Sequence, residues 1–294
     1  MELVPAKTIL SKPKDDSWFG NDYNMNLYRG CCHGCIYCDS RSECYHVDDF
    51  DRVRLKRGAL AILERELASK RKKGVVGVGA MSDTYNPFER EVQATRGALA
   101  LLGRFGFGVA LDTKSPLVLR DIDLIQRIAH KASVNIKITI TTADDALSKI
   151  IEPHVCPPSE RFRAIRELSA AGIFTGVLMA PMLPYITDTE ENVKKMVRLA
   201  HENGARFIFP MFGVTLRQNQ RDYYYRKLDE HFPGLALKYR NVYRSNYYCA
   251  SPRSRQLRAL FQKECGKYHL LYRMQDIVAA YKKKEPSMEQ MTFF

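Results

Sequence analysis

Short apolar runs alternate with longer stretches of mixed polar and apolar residues through the middle of the chain. The apolar, β-rich runs predict strands over residues 74–81, 107–113, 134–142, 173–180 and 206–211. The intervening stretches predict helices over 55–73, 92–105, 119–131, 159–171 and 190–203. Strand and helix in strict alternation is the pattern of a parallel α/β sheet, and with the segment before residue 31 it makes about six βα units.

In folds of this kind functional side chains sit on the loops that follow the strands, which directs attention to four segments. They are Ser82-Asp83-Thr84-Tyr85-Asn86-Pro87-Phe88-Glu89, Thr113-Lys114-Ser115, Thr141-Thr142-Ala143-Asp144 and Pro181-Met182-Leu183-Pro184. Ser, Thr, Asp and Pro are also what helix caps and turns require, so each residue there has a purely structural reading as well.

The 294 residues are 45% hydrophobic, an ordinary globular composition, and an α/β barrel of this length is commonly one domain. No apolar run approaches the roughly 20 residues needed to span a bilayer, and the N-terminal segment has no apolar signal core. Eight cysteines, three of them in one loop, point to a reducing cytoplasm and metal binding rather than to disulfides.

The net charge of +13 is concentrated: residues 206–284 hold 17 Lys/Arg against 5 Asp/Glu, together with ten of the sixteen tyrosines. Segments such as Asp222-Tyr223-Tyr224-Tyr225-Arg226 interleave cations with flat rings, a combination that neutralises phosphates and stacks on exposed bases. The alternative is a solvated basic face whose tyrosines are half buried against a core.

Cys31, Cys35 and Cys38 follow a C-x3-C-x2-C spacing. Three thiolates can hold a 4Fe-4S cube and leave one iron open to a ligand, whereas electron-transfer clusters use four cysteines. A structural zinc site completed by His33 or Cys44 is the competing reading, and a cube closed by Cys32 or Cys44 is another.

This loop, with Tyr37 before its last cysteine, resembles the cluster loop of the radical S-adenosylmethionine (SAM) enzymes. The resemblance implies a partial (β/α)6-type barrel over residues 1–212, a basic, tyrosine-rich C-terminal extension over 213–284 packed on it, and a tail over 285–294. It also implies a 4Fe-4S cluster on Cys31, Cys35 and Cys38, SAM on the open iron, reductive cleavage to a 5'-deoxyadenosyl radical, and an electron donor such as flavodoxin or ferredoxin.

A narrower likeness is carried by Asn26-Leu27-Tyr28-Arg29-Gly30-Cys31, Ser82-Asp83, Thr113-Lys114-Ser115, Arg120-Asp121, Glu152-Pro153 and Arg161. Over residues 7–280, and most strongly through 190, these are similar to the spore photoproduct lyase-related, "DNA repair photolyase"-like group. That likeness implies Tyr37, Ser82 and Asp83 beside SAM, Thr139, Thr141 and Glu152 along its ribose or adenine side, and Arg161 on its carboxylate. The lyase's hydrogen-returning cysteine has no counterpart in Gly77-Val78-Gly79-Ala80-Met81; Cys249, Cys156 or a tyrosine could replace it, with Tyr85 and Cys249 as the candidate donors.

Gln290-Met291-Thr292-Phe293-Phe294 follows a polar tether and resembles the pentapeptide with which bacterial DNA enzymes dock on the sliding clamp. Gln290 would lead, with Met291, Phe293 and Phe294 as anchors; folding back as a plug on the barrel is the alternative. Two functions from different classes follow: a radical SAM enzyme acting on DNA, or on a non-nucleic-acid substrate; and a non-enzymatic nucleic-acid-binding protein with a structural metal loop.

Overall fold

The computed structural model describes residues 1–14 and 18–282. Its centre is a seven-stranded sheet in the order Phe207–Pro210, Thr175–Met179, Val134–Thr139, Gly108–Thr113, Val75–Val78, Tyr23–Met25, Leu10–Ser11. The first six are parallel and only the Leu10–Ser11 edge is antiparallel, so six βα-type strands are present as the alternation predicts.

The three innermost predicted strands are buried along nearly their whole length, as expected of a parallel sheet covered on both faces. On one side Val109, Leu111, Ile136, Ile138 and Val177 join the main core with helix residues such as Leu99, Ile128, Ile165 and Val197. On the other side the strands present a different set, including Asp112, Asn135, Lys137 and Thr139, to the interior of the partial barrel. That interior is closed below by Phe19, Leu178, Phe207 and Ile277, with the Tyr281 hydroxyl bonded to the Phe19 carbonyl.

Predicted and observed boundaries differ where local chemistry intervenes. The first helix runs over Ala59–Ser69 rather than 55–73, because Arg54–Lys56 is a strand pairing with Leu3–Val4 and Tyr28–Arg29. The helix expected from 119 begins at Ile122, since Pro116 opens a 3₁₀ turn over Pro116–Asp121. A helix over Asp145–Ile151 lies in a stretch to which no element was assigned; Asp144 caps it by accepting hydrogen bonds from the Ala146 and Leu147 amides.

The basic C-terminal region forms the antiparallel pair Gly213–Thr215 and Tyr248–Ala250 and the helices Gln220–His231, Leu235–Tyr243, Ser254–Lys267 and Met274–Tyr281. Tyr224, Tyr225, Tyr239 and Tyr243 are buried in a second core that also holds Cys35, Ile36 and Tyr37. For these four rings the expectation of a base-stacking surface is corrected: Tyr224, Tyr225 and Leu228 form a helical stripe that packs inward. Tyr247 and Tyr248 remain exposed, beside the exposed Arg240 and Arg244. The clamp-like segment Gln290 to Phe294 lies outside the described residues.

Candidate active site

The cysteine loop is shaped by its glycines and by long-range hydrogen bonds. Gly30 adopts φ +80°, and a Cβ there would collide with the Arg52 carbonyl oxygen, so no other residue fits immediately before Cys31. The Cys31 amide donates to the Phe50 carbonyl at 2.8 Å, and the Cys38 amide closes a turn onto the Cys35 carbonyl at 3.2 Å. A strap from the end of the Asp145–Ile151 helix holds the loop from outside: the Ile36 amide donates to the Ile151 carbonyl at 3.0 Å, and the His154 amide to the His33 carbonyl at 3.2 Å.

All three cysteines are free, Cys31 and Cys35 buried and Cys38 half-buried. Burial pushes the Cys31 thiol up to about 12, with the nearby Cys38 adding to the effect, and it pushes Cys35 well above its ordinary range. Burial therefore keeps these thiols protonated by themselves, and coordination to a metal would be what deprotonates them. Among the described residues no three His, Cys, Asp or Glu side chains converge as a ligand set for one metal ion. A cube, which offers each thiolate its own iron, suits a donor set spread along a loop better than one tetrahedral zinc ion does. The residues therefore fit a 4Fe-4S cluster.

Asp83 ties this loop to the strand ends. Its Oδ1 accepts from the Tyr85 amide at 2.9 Å and the Thr113 hydroxyl at 2.7 Å; its Oδ2 accepts from the Lys114 amide at 2.8 Å and lies 3.0 Å from His33 Nε2. Burial alone would favour the neutral acid, but these partners outweigh it and hold the carboxyl below the usual carboxylate range. Ser82 donates its hydroxyl to the Gly30 carbonyl.

A second network joins Tyr37, Glu152, Arg161 and Thr139. The Tyr37 hydroxyl donates to Glu152 Oε1, Arg161 and the Ser148 hydroxyl reach Glu152 Oε2, and Arg161 Nη1 donates to the Thr139 carbonyl at 2.9 Å. Glu152 stays ionised against a large burial penalty because Arg161 and Lys114 are close. Arg161, expected on the SAM carboxylate, is fully buried, with its guanidinium bonded to Glu152, Ser148 and the Thr139 and Cys156 carbonyls.

The half-buried cation among the candidate groups is instead Lys114, which sequence reasoning placed in a loop without giving it a role. Burial opposes its charge, but Cys35, Glu152, Cys38 and Asp83 together raise its pKa. His33 was read only as a possible zinc ligand, not as the partner of Asp83. The available signals were its place inside the cysteine loop and the position of Lys114 just past a barrel strand.

Thr139 and Thr141 are buried at the upper end of the same strand line, and Thr141 Oγ1 has no hydrogen-bond partner. The two suggested hydrogen donors are placed elsewhere. Tyr85 packs in the main core with its hydroxyl on Asp121 Oδ2 at 3.0 Å, and Asp121 is paired with Arg96 and Arg120. Cys249 is fully buried in the second core, where it behaves as a small hydrophobe.

Residues 25–200 match the radical SAM superfamily. An uncharacterized protein of Mycobacterium tuberculosis is 29% identical over 274 residues, covering 91% of this chain and 80% of that one. One of Methanocaldococcus jannaschii is 30% identical over 177 residues, covering 58% and 64%. Among solved structures, spore photoproduct lyase complexed with dinucleoside spore photoproduct superposes with TM-score 0.67 at 15% identity, over 90% of this chain and 79% of that one. A mutant of the same lyase gives TM-score 0.67 at 14% identity, over 92% and 80%. At these identities the structural likeness speaks for the fold.

Proposed function

The chain belongs to the radical SAM superfamily, enzymes that use a 4Fe-4S cluster and SAM, and on that premise we propose that Cys31, Cys35 and Cys38 hold the cluster with one iron open. Cluster and SAM together supply reductive cleavage to a 5'-deoxyadenosyl radical. Lys114 offers the cation for the SAM carboxylate, with Ser82, Asp83, Thr139, Thr141 and the Tyr37–Glu152 pair lining the rest of the site. Arg161 is a positioning residue that keeps Glu152 ionised and in place. The observation that carries this reading is that the loop holding the three free cysteines is tied to the strand ends through the His33–Asp83 contact and to the Ile151–His154 strap through Ile36 and His33. An electron carrier such as flavodoxin or ferredoxin would deliver the electron in a reducing cytoplasm.

DNA is the proposed substrate, for a repair or modification reaction. Support comes from the basic C-terminal region, from the exposed Arg240, Arg244, Tyr247 and Tyr248, and from the fold shared with a lyase whose complex contains a dinucleoside lesion. The test is anaerobic reconstitution with iron and sulfide, reduction in the presence of SAM, and chromatography for 5'-deoxyadenosine. Deoxyadenosine is expected, and DNA is expected to stimulate it, with binding that weakens as salt rises in proportion to the phosphates contacted. Product without any response to DNA would move the substrate to a small molecule or peptide. Absence of both cluster and product would favour a non-enzymatic nucleic-acid-binding protein.

The tail is proposed to dock on a DNA sliding clamp through Gln290, Met291, Phe293 and Phe294. Deleting residues 290–294 is expected to abolish capture on immobilised clamp while leaving SAM cleavage unchanged. Unaltered capture after deletion, or none by the intact chain, would remove this assignment.

A further inference from the structure

Building on the reading of the chain as a radical SAM enzyme of nucleic acid, we infer that Trp18, Phe209 and Asp112 form the floor on which a nucleobase is stacked and read. The shared chemistry is a flat nitrogen heterocycle with an N–H donor edge.

Trp18 is 40% exposed although it stands edge-on to Phe19 at 5.1 Å and to Phe209 at 5.9 Å, so a large ring surface is left uncovered beside an aromatic wall. Such a surface stacks on a base of any sequence, because every base has a π-face. Asp112, the interior carboxylate of the Gly108–Thr113 strand, has a side chain 12% exposed and is tied to this aromatic wall through Lys137, whose ammonium lies over the Phe19 ring at 4.8 Å. Lys137, directly opposite in the register, lies 3.2 Å from Asp112 Oδ1 and is fully buried.

Asp112 Oδ1 and Lys137 Nζ answer each other in that ion pair, whereas both amide atoms of Asn135 on the same strand face have no hydrogen-bond partner. Buried polar groups are satisfied in the great majority of cases, so an unpartnered Asn135 amide beside this ion pair marks the interior face here as polar rather than simply packed. Of these side chains only Asp112 keeps exposed area, and with its Oδ1 buried against Lys137 the other carboxylate oxygen is the one left to a ligand. It would accept a hydrogen bond from a ring or exocyclic N–H, while Lys137 acts through it as a positioning residue. Along the strands Asp112 lies two residues below Lys114, and Lys137 two below Thr139, which sets this floor beneath the proposed SAM site.

Trp18 is the only tryptophan in the chain, so its emission reports on this floor. The anaerobically reconstituted enzyme with SAM and no reductant would be titrated with single-stranded oligothymidylate, an abasic strand of equal length, a strand carrying 3-methylthymine, and free thymidine. Oligothymidylate is expected to quench saturably, the abasic strand not at all, and the methylated strand, which lacks the N–H donor, with a midpoint at least tenfold higher. Asp112→Asn and Lys137→Met are expected to raise the midpoint similarly, and Asp112→Glu to recover part of it.

Equal quenching by the abasic strand, or equal midpoints for thymine and 3-methylthymine, would overturn the floor whether or not the variants fold. Neither result would touch the enzyme class, which rests on deoxyadenosine formation. Quenching by thymidine at the midpoint of the polymer would support the floor and move the source from DNA to a free nucleoside.

Discussion

Cys35→Ala abolishes both the iron-dependent absorbance of reconstituted protein and its production of 5'-deoxyadenosine, whereas Cys156→Ala leaves both in place. Cys35 is buried at the centre of the loop, within the core formed with Tyr37 and the C-terminal tyrosines, so no neighbouring cysteine can substitute without repacking it. With only Cys31 and Cys38 remaining, two irons of a cube lose protein ligands in place of one. Cys156 is the fair control, because it too is partly buried and near the site, with its thiol on the Lys114 carbonyl at 3.3 Å. Equal loss in the two variants, or an intact absorbance in Cys35→Ala, would contradict the ligand assignment.

Arg161→Met lowers the thermal midpoint of the apoprotein by about 10 °C. Removing one partner of a buried ion pair costs about 3–5 kcal/mol because the other charge is left uncompensated, and each kcal/mol shifts Tm by about 2–4 °C in a chain approaching this size. Glu152 is fully buried, and Arg161 also supplies hydrogen bonds to the Thr139 and Cys156 carbonyls, so the loss reaches two strand-end segments at once. Glu152→Gln is expected to be destabilising too, and the double variant less so than the sum of the singles, since the two charges are in direct contact. A drop below about 2 °C in Arg161→Met would show that the pair does not hold the site together.

Much of the fold was legible because its signals are local. The βα alternation predicted six parallel-type strands, and the observed ends moved mainly where a strand pairing at Leu55 or a turn at Pro116 intervened. The cysteine loop was legible for the same reason, its spacing being contained in eight residues. Lys114 was less so, since nothing in Thr113-Lys114-Ser115 tells that Cys35, Asp83 and Glu152 will surround the ammonium group. Tyr224 and Tyr225 were read with the surface cations around them, although with Leu228 they carry the spacing of an inward helical stripe.

What the amino-acid order by itself determined is the set of elements and the chemical inventory: a three-cysteine loop, strand ends rich in Ser, Asp, Thr and Lys, and a basic C-terminal third. These follow from periodicity and spacing over a few residues, which chain connectivity enforces. Only the tertiary structure decided which groups are paired and which face the interior. Tyr37 meets Glu152 across 115 residues, Arg161 is withdrawn into that pair, and Lys137 is buried against Asp112. Desolvation and ion pairing depend on everything packed around a group, so partners distant in the chain determine whether a charge serves the site or its scaffold.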